Sequence, residues 1–334
     1  MPSLALLAAV ALSAPQPGDI KSFGDWSVGC DNGWACQLVS LVPEDEADTV
    51  LFARAVVSVS PGPEPDVAID LTLEPLPDGA LTLVVDGKAL AEVARRQGTL
   101  SVAGTAARAV LAAAVNGRML ELWRSGKPVA AVSLRGSAAA LRYVDEQQRR
   151  AGTAGAFVAR GAAPASAIPT APALPDVPRA ALAERAIEDP SGAIANGLRR
   201  FAGCDDIDSG ADNALHAVAL DGRALLVLVP CGSGAYNASF VPLITAGGTT
   251  ALATFDLKPD DDGQGRPLLM NADWDAKTGT LSSYYKGRGL GDCGAARNYV
   301  WDGTRFRLVE ARGMNECRGA ADWITIWRAT PKPR

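Results

Sequence analysis

The sequence contains one histidine, His216, in 334 residues, with no C-x-x-C pair and no extended basic run. Zinc sites are built from cysteine and histidine at short, regular spacings, so this inventory excludes the usual zinc centres. The 32 Lys and Arg are scattered among 37 Asp and Glu, leaving a net charge of -5. A protein that grips phosphates needs a concentrated basic face, so nucleic acid is not an expected partner. No apolar stretch approaches the ~20 residues that span a bilayer, and a transmembrane segment is not expected. No metal and no cofactor follow from the residues present.

What is present begins with an uncharged apolar run from Leu4 to Leu12 that ends in small residues and Pro15. Residues 1–14 are read as a signal peptide, cleaved after Ser13 or after Ala14, which places the mature chain in the periplasm or outside the cell. Six cysteines fit that compartment. Cys30 and Cys36 lie near the start, and Cys204, Cys231, Cys293 and Cys317 in the last third. The expected bridges are Cys30 to Cys36, Cys204 to Cys231 and Cys293 to Cys317; the four C-terminal cysteines allow three pairings, of which this is the most local.

Two-residue turn signals punctuate residues 20–150: Asp78-Gly79, Asp86-Gly87, Asn116-Gly117 and Ser125-Gly126, between short alternating runs such as 80–85 and 119–123. Such pairs accept the positive φ angles of tight hairpins, so this half is antiparallel β. Helices are expected at Ala106 to Val115 and Ser137 to Arg150. Residues 151–178 are mostly Ala, Gly and Pro, with five prolines from Pro164 to Pro178. They read as a semi-rigid linker. Residues 179–330 carry short helices at Arg179 to Ile187 and Ala193 to Phe201. Hairpins follow at Asp221-Gly222, at the AKTG turn and at Asp302-Gly303, and the strand ITIWRA closes the half. The fold class is mainly β: two antiparallel, meander- or sandwich-like domains with a few short helices, joined by the Ala/Pro-rich linker.

The stretch GRGLGDCG, residues 287 to 294, spells G-x-G-x-x-G. A dinucleotide loop of that form must open a helix whose N-terminus meets the pyrophosphate, whereas ARNYVWDG here reads as a strand entering a hairpin. Two readings stand for it. Its glycines let the connection pass close to the sheet while Cys293 is bridged to Cys317, or Lys286, Arg288 and Asp292 ring a small binding pocket. Ser233 sits between glycines but lacks the flanking pattern of a nucleophile elbow, and His216 has no reason to lie beside it. Asp256, Asp260, Asp261, Asp262 and Gly263 lack the alternating spacing of a calcium loop and read as a solvated hairpin tip. Trp274, Trp301, Trp323 and Trp327 fit a disulfide-braced β core as well as a surface that stacks on sugar or peptide. No catalytic set emerges.

The segments CGSGAYNASFVPL, NADWDAKTGTLSSYYKGRGLGDCG, YVWDGTRFRLVEARGMNECRG and WITIWRA together resemble exported bacterial proteins of the domain-of-unknown-function family numbered 1176, over Phe23 to Ala329. The resemblance adds Tyr236 and Asn237, of its GAYN segment, to the candidate binding residues. More loosely, FGDWSVGCDNGWACQL, LTLVVDG and LWRSGKPVAAVSLRGSAAAL resemble invasion-associated locus B proteins, which implies export and a β fold and supplies no catalytic residues. The combined expectation is an exported protein with a binding or envelope role, its partner an envelope component or protein. The alternatives are a hydrolase acting on an envelope polymer and an inhibitor of a secreted hydrolase.

Overall fold

The computed structural model describes residues 14–44, 52–74, 79–96, 99–183, 186–205, 214–260, 263 and 265–334. Asp78, Asp261, Asp262 and nearly all of the expected signal peptide lie outside these residues.

The first half contributes ten strands: β1 (Ile20–Phe23), β2 (Trp26–Cys30), β3 (Cys36–Ser40), β4 (Arg54–Val59), β5 (Val67–Thr72), β6 (Leu81–Val85), β7 (Lys88–Arg96), β8 (Thr99–Ala103), β9 (Met119–Arg124) and β10 (Lys127–Ser133). They form one antiparallel sheet in the order β1-β2-β3-β4-β5-β8-β7-β6-β9-β10. The sheet curls, so that Ala53, just before β4, donates its N–H to the Ala131 carbonyl of β10 (2.9 Å). Alternation sets the inner face: Leu38, Val57, Val59, Val67, Ile69 and Leu71 are buried, while Gln37, Ser58, Ala68 and Asp70 face outward. Helix α1 (Gly104–Ala114) buries Ala107, Val110, Leu111 and Ala114 at helical spacing against this core. Helix α2 (Ser137–Gln147) buries Ala140, Leu141 and Val144 on the same core.

The turns Asp86-Gly87 and Ser125-Gly126 close hairpins with positive φ at both residues, as expected. Asn116-Gly117 does not. It follows directly on α1 and carries the chain into β9, because the Ala-rich run before it buries its apolar stripe as a helix.

Residues 151–178 divide in two. Up to Ile168 the chain is folded onto the first half: Asp145, at the end of α2, accepts N–H bonds from Phe157 (2.8 Å), Val158 (2.8 Å) and Ala159 (2.9 Å). Arg150, 0% exposed, donates to the carbonyls of Gly62 and Gly155 and to Gln148. Ile168 is buried as well. This alanine-rich segment is thus held by Phe157 and Val158 on the core and by two buried charges that bond its backbone. The proline-rich remainder stays irregular until β11 (Asp176–Arg179).

The second half holds α3 (Gly192–Ala202) and β12 (His216–Ala219), β13 (Ala224–Ser233), β14 (Ala238–Ala246), β15 (Thr249–Leu252), β16 (Leu269–Met270), β17 (Asp273–Asp275), β18 (Thr280–Lys286), β19 (Gly294–Trp301), β20 (Phe306–Met314), β21 (Ile324–Arg328) and β22 (Thr330–Pro333). One sheet runs β12-β13-β14-β15, with β16 also on β14; another runs β17-β18-β19-β20-β21. Both bury their faces in a shared core of Leu226, Leu228, Leu281, Tyr299, Phe306 and Leu308. The helix expected at Arg179 to Ile187 does not begin there: Arg179 ends β11, which pairs in parallel with β22. The three disulfides are Cys30–Cys36, Cys204–Cys231 and Cys293–Cys317. Fold class and bridges agree with the sequence reading.

The halves are docked. Val39 and Leu41 of the first half bury against Met314, Trp323 and Ile324 of the second. Arg318 donates to Asp25 (2.6 Å) and to the Val42 carbonyl (2.9 Å), and the Val42 N–H returns a bond to Arg318 (2.8 Å). The Asn32 carboxamide brackets the backbone of Arg328, whose guanidinium pairs with buried Asp31.

Candidate functional site

Lys286 of β18 pairs with Gly294 of β19, and residues 287–293 form the knuckle between them. Its base is closed by the Gly287 N–H on the Cys293 carbonyl (2.8 Å) and its tip by the Gly291 N–H on the Arg288 carbonyl (3.0 Å). The Cys293–Cys317 bridge fastens the base to the chain leaving β20. A strand follows the glycines, not a helix, so the geometry of a phosphate cradle is missing. What the glycines supply is clearance. Gly294 has φ +141°, and a Cβ there would stand 2.0 Å from the Tyr285 carbonyl oxygen and 2.8 Å from the Trp323 ring. At Gly287 a Cβ would meet the Cys293 sulfur at 2.7 Å.

The charges of the knuckle are turned on each other. Arg288 grips Asp292 with both fork positions, Nε to Oδ1 at 2.8 Å and Nη2 to Oδ2 at 2.6 Å, and the Gly319 N–H also reaches Asp292 Oδ2 (2.6 Å). The Arg288 bond holds the Asp292 carboxyl below the ordinary carboxylate range, against burial, which acts the other way. The Lys286 ammonium lies 5.8 Å from the centroid of the Tyr284 ring, which stacks on Trp323 at 4.7 Å.

The GAYN arm packs beside it. Asn237 presents its carboxamide to the backbone of Lys286, accepting the N–H (3.0 Å) and donating to the carbonyl (2.9 Å), so a side chain extends the β18 ladder. Tyr236 sends its hydroxyl to the Gly287 carbonyl (3.4 Å). All five candidate residues, Tyr236, Asn237, Lys286, Arg288 and Asp292, are therefore brought together. Arg288 and Asp292 are turned on each other.

Two residues not singled out in the sequence matter here. Asn271, at φ +44°, ties the arm down: its Oδ1 accepts the Ala238 N–H (2.9 Å) and its Nδ2 donates to Asn237 Oδ1 (2.9 Å) and to the Tyr284 carbonyl (2.8 Å). Leu290 stands at the tip, 80% exposed, with Tyr236 at 41%. Leu290 had a sequence signal, as the one large apolar residue between the glycines; Asn271 had none, since its contacts fall 13 to 34 residues away.

The other candidates fall apart in space. His216 lies opposite Leu228 in the ladder, five residues and roughly 17 Å of strand from Ser233, and its neighbour is Asp189 (3.6 Å). The Asp256 side chain is 8% exposed, accepts N–H bonds from Leu257 (2.8 Å) and Leu308 (2.9 Å) and faces Arg307 (3.3 Å), while Asp260 pairs with Arg297 (3.7 Å). Burial pushes the Asp256 carboxyl above its ordinary range, with those bonds opposing.

Comparison with known proteins places these segments among relatives. The profile of the family described as "Protein of unknown function (DUF1176)" matches residues 20–330. The chain is 32% identical over 206 residues to the uncharacterized protein YpfG of Escherichia coli (strain K12), an alignment covering 59% of this chain and 59% of YpfG. The match thus spans about three-fifths of that relative's length. Among solved structures, the crystal structure of invasion associated protein b from Bartonella henselae is similar at 22% identity, covering 39% of this chain and 98% of that one, with a TM-score of 0.30.

Proposed function

Because this chain belongs to the family described as Protein of unknown function (DUF1176), whose description assigns no activity, we propose a role from its own surface: an exported binding protein of the cell envelope that holds a protein partner through the knuckle at 287–293. Three disulfides favour an oxidising compartment. Among the described residues, no helix is long and apolar enough to cross a membrane.

The observation that carries the reading is the exposure of Leu290 on a loop that is otherwise closed to chemistry. Arg288 and Asp292 satisfy each other, and the base is pinned by a disulfide and a backbone bond. Such a loop loses little conformational freedom on association, so an apolar tip flanked by Tyr236 can enter a partner's apolar pocket at low entropic cost. Inhibition of a secreted hydrolase is one form this binding can take. The alternative, that this protein is itself a hydrolase, calls for a carboxylate held above its ordinary range and facing a cleft. Asp256 has the raised carboxyl, but its Oδ1 accepts two backbone N–H groups and its Oδ2 faces the Arg307 guanidinium at 3.3 Å.

The test is capture from envelope extracts by the immobilised, disulfide-intact chain. A partner held by the unaltered protein and lost with Leu290→Asp, at unchanged unfolding midpoint, supports the knuckle. Equal capture by both removes it from the function.

A further inference from the structure

The docked halves leave a trough that the knuckle does not touch. Its floor is the outward face of the first sheet, where Gln37, Ser58, Ala68 and Ala103 stand opposite one another across β3, β4, β5 and β8. That row crosses three inter-strand steps, about 14 Å. The next row carries Val56, Asp70 and Ser101. One wall is β21 and the bend before it, with Asp322, Thr325 and Arg328. Two adjoining cavities, of about 540 and 420 Å³, share Gln37 and Ser58, so the trough is continuous between them. Each lies in the size range of ligand sites, which form preferentially where two parts of a chain meet.

Its chemistry is specific in three respects. The Gln37 Oε1 accepts the Thr325 N–H (2.8 Å), which fixes the carboxamide and leaves its NH2 without a protein acceptor among the described residues. Ser58 and Thr325, both hydroxyl-bearing, line the same space. Second, Asp31 is neutralised by Arg328 and Asp322 by Arg312, whereas Asp66 and Asp70 have no cationic partner among the described residues. These two carboxylates disfavour an anionic ligand laid against them. Third, the floor strands β3, β4, β5 and β8 are interior to the sheet, each with a neighbouring strand on both sides. A peptide cannot add to them as a further strand. A ligand here must bring its own donors and acceptors to side chains, and lay apolar faces on the small floor residues Ala68 and Ala103.

We propose that this trough binds an extended, uncharged oligosaccharide, hydrogen-bonded by Gln37, Ser58 and Thr325, with Asp66 and Asp70 turning away acidic polymers. The proposal is independent of the knuckle. Its test is a fluorescently labelled, disulfide-intact full chain on an array of neutral, N-acetylated and uronate oligosaccharides, followed by titration with the neutral oligosaccharide best retained. The expected result is retention of neutral oligosaccharides, weakened at least tenfold by Ser58→Trp, which fills the trough without removing a protein hydrogen bond. Should Ser58→Trp fail to fold, Thr325→Val removes one donor at constant shape and is expected to weaken binding several-fold. Leu290→Asp is expected to bind as the unaltered chain does, which separates this site from the knuckle. Failure to retain any neutral oligosaccharide overturns the proposal, as does undiminished binding by the trough variants or preference for uronates.

Discussion

Arg318 reaches from the second half of the chain to Asp25 in the first, Nη2 to Oδ1 at 2.6 Å, and the carboxylate it meets is 1% exposed. Asp25 also accepts from Ser133 (2.7 Å) and from Arg135 (3.0 and 2.8 Å). One buried carboxylate thus gathers three distant parts of the sequence.

Burial alone raises the Asp25 carboxyl, but the bonds from Arg135, Ser133 and Arg318 outweigh it and hold the group below its ordinary range. A depressed carboxylate contributes stability that is present above the unfolded-state value and lost as pH falls through the folded one. Asp25→Asn is expected to cost about 3 kcal/mol at neutral pH, with the gap to the unaltered protein closing below about pH 4. Urea unfolding across that window measures it; a gap independent of pH would show that the charge is not the cause.

The glycines of 287–294 divide sharply. Gly294→Ala places a Cβ against the Tyr285 carbonyl and Trp323 at a φ of +141°, and should cost at least about 2 kcal/mol. Gly289→Ala meets nothing nearer than Tyr236 Cδ1 at 3.6 Å, and should stay within about 0.5 kcal/mol. Similar losses at both positions would contradict the packing role.

Removing the Cys293–Cys317 bridge by paired serine substitution frees a loop closed over a separation of 24 residues. The chain-entropy model gives a loss of roughly 3 to 4 kcal/mol. Hydrogen exchange at 287–293 should rise by more than at the Asp86-Gly87 turn, which the bridge does not touch.

Asn271→Ala strips the bonds to Asn237, Ala238 and Tyr284 and leaves alanine at positive φ. A destabilisation of about 2 to 3 kcal/mol is expected, read by thermal unfolding. Hydrogen exchange at the Ala238 N–H, which loses its Asn271 acceptor, should rise as the arm loosens.

What was legible in the sequence is what local chemistry decides. Asp86-Gly87 and Ser125-Gly126 turn because each dipeptide accepts positive φ by itself, and each disulfide joins the nearest available cysteine. Asn116-Gly117 shows the limit: the same dipeptide ends a helix when the preceding residues have an apolar stripe to bury. Arg179 is drawn out of its expected helix by β22, whose end bonds its carbonyl through the Arg334 N–H, more than 150 residues on. At the candidate site, the five residues were legible as a group, but their orientation was not. Whether Arg288 faces a ligand or Asp292 depends on the Gly319 N–H and the Cys317 bridge, which fix the carboxylate from another strand's end.

The parallel pair of β11 and β22 has a mechanical consequence. The Thr330 N–H bonds the Pro175 carbonyl (2.9 Å) and the Arg334 N–H bonds the Arg179 carbonyl (3.0 Å). Tension applied between residue 175 and residue 334 pulls these strands along their length in opposite directions, so the pair is loaded in shear. Its hydrogen bonds must give way together and not one after another, and the segment between them is shielded from load until they do.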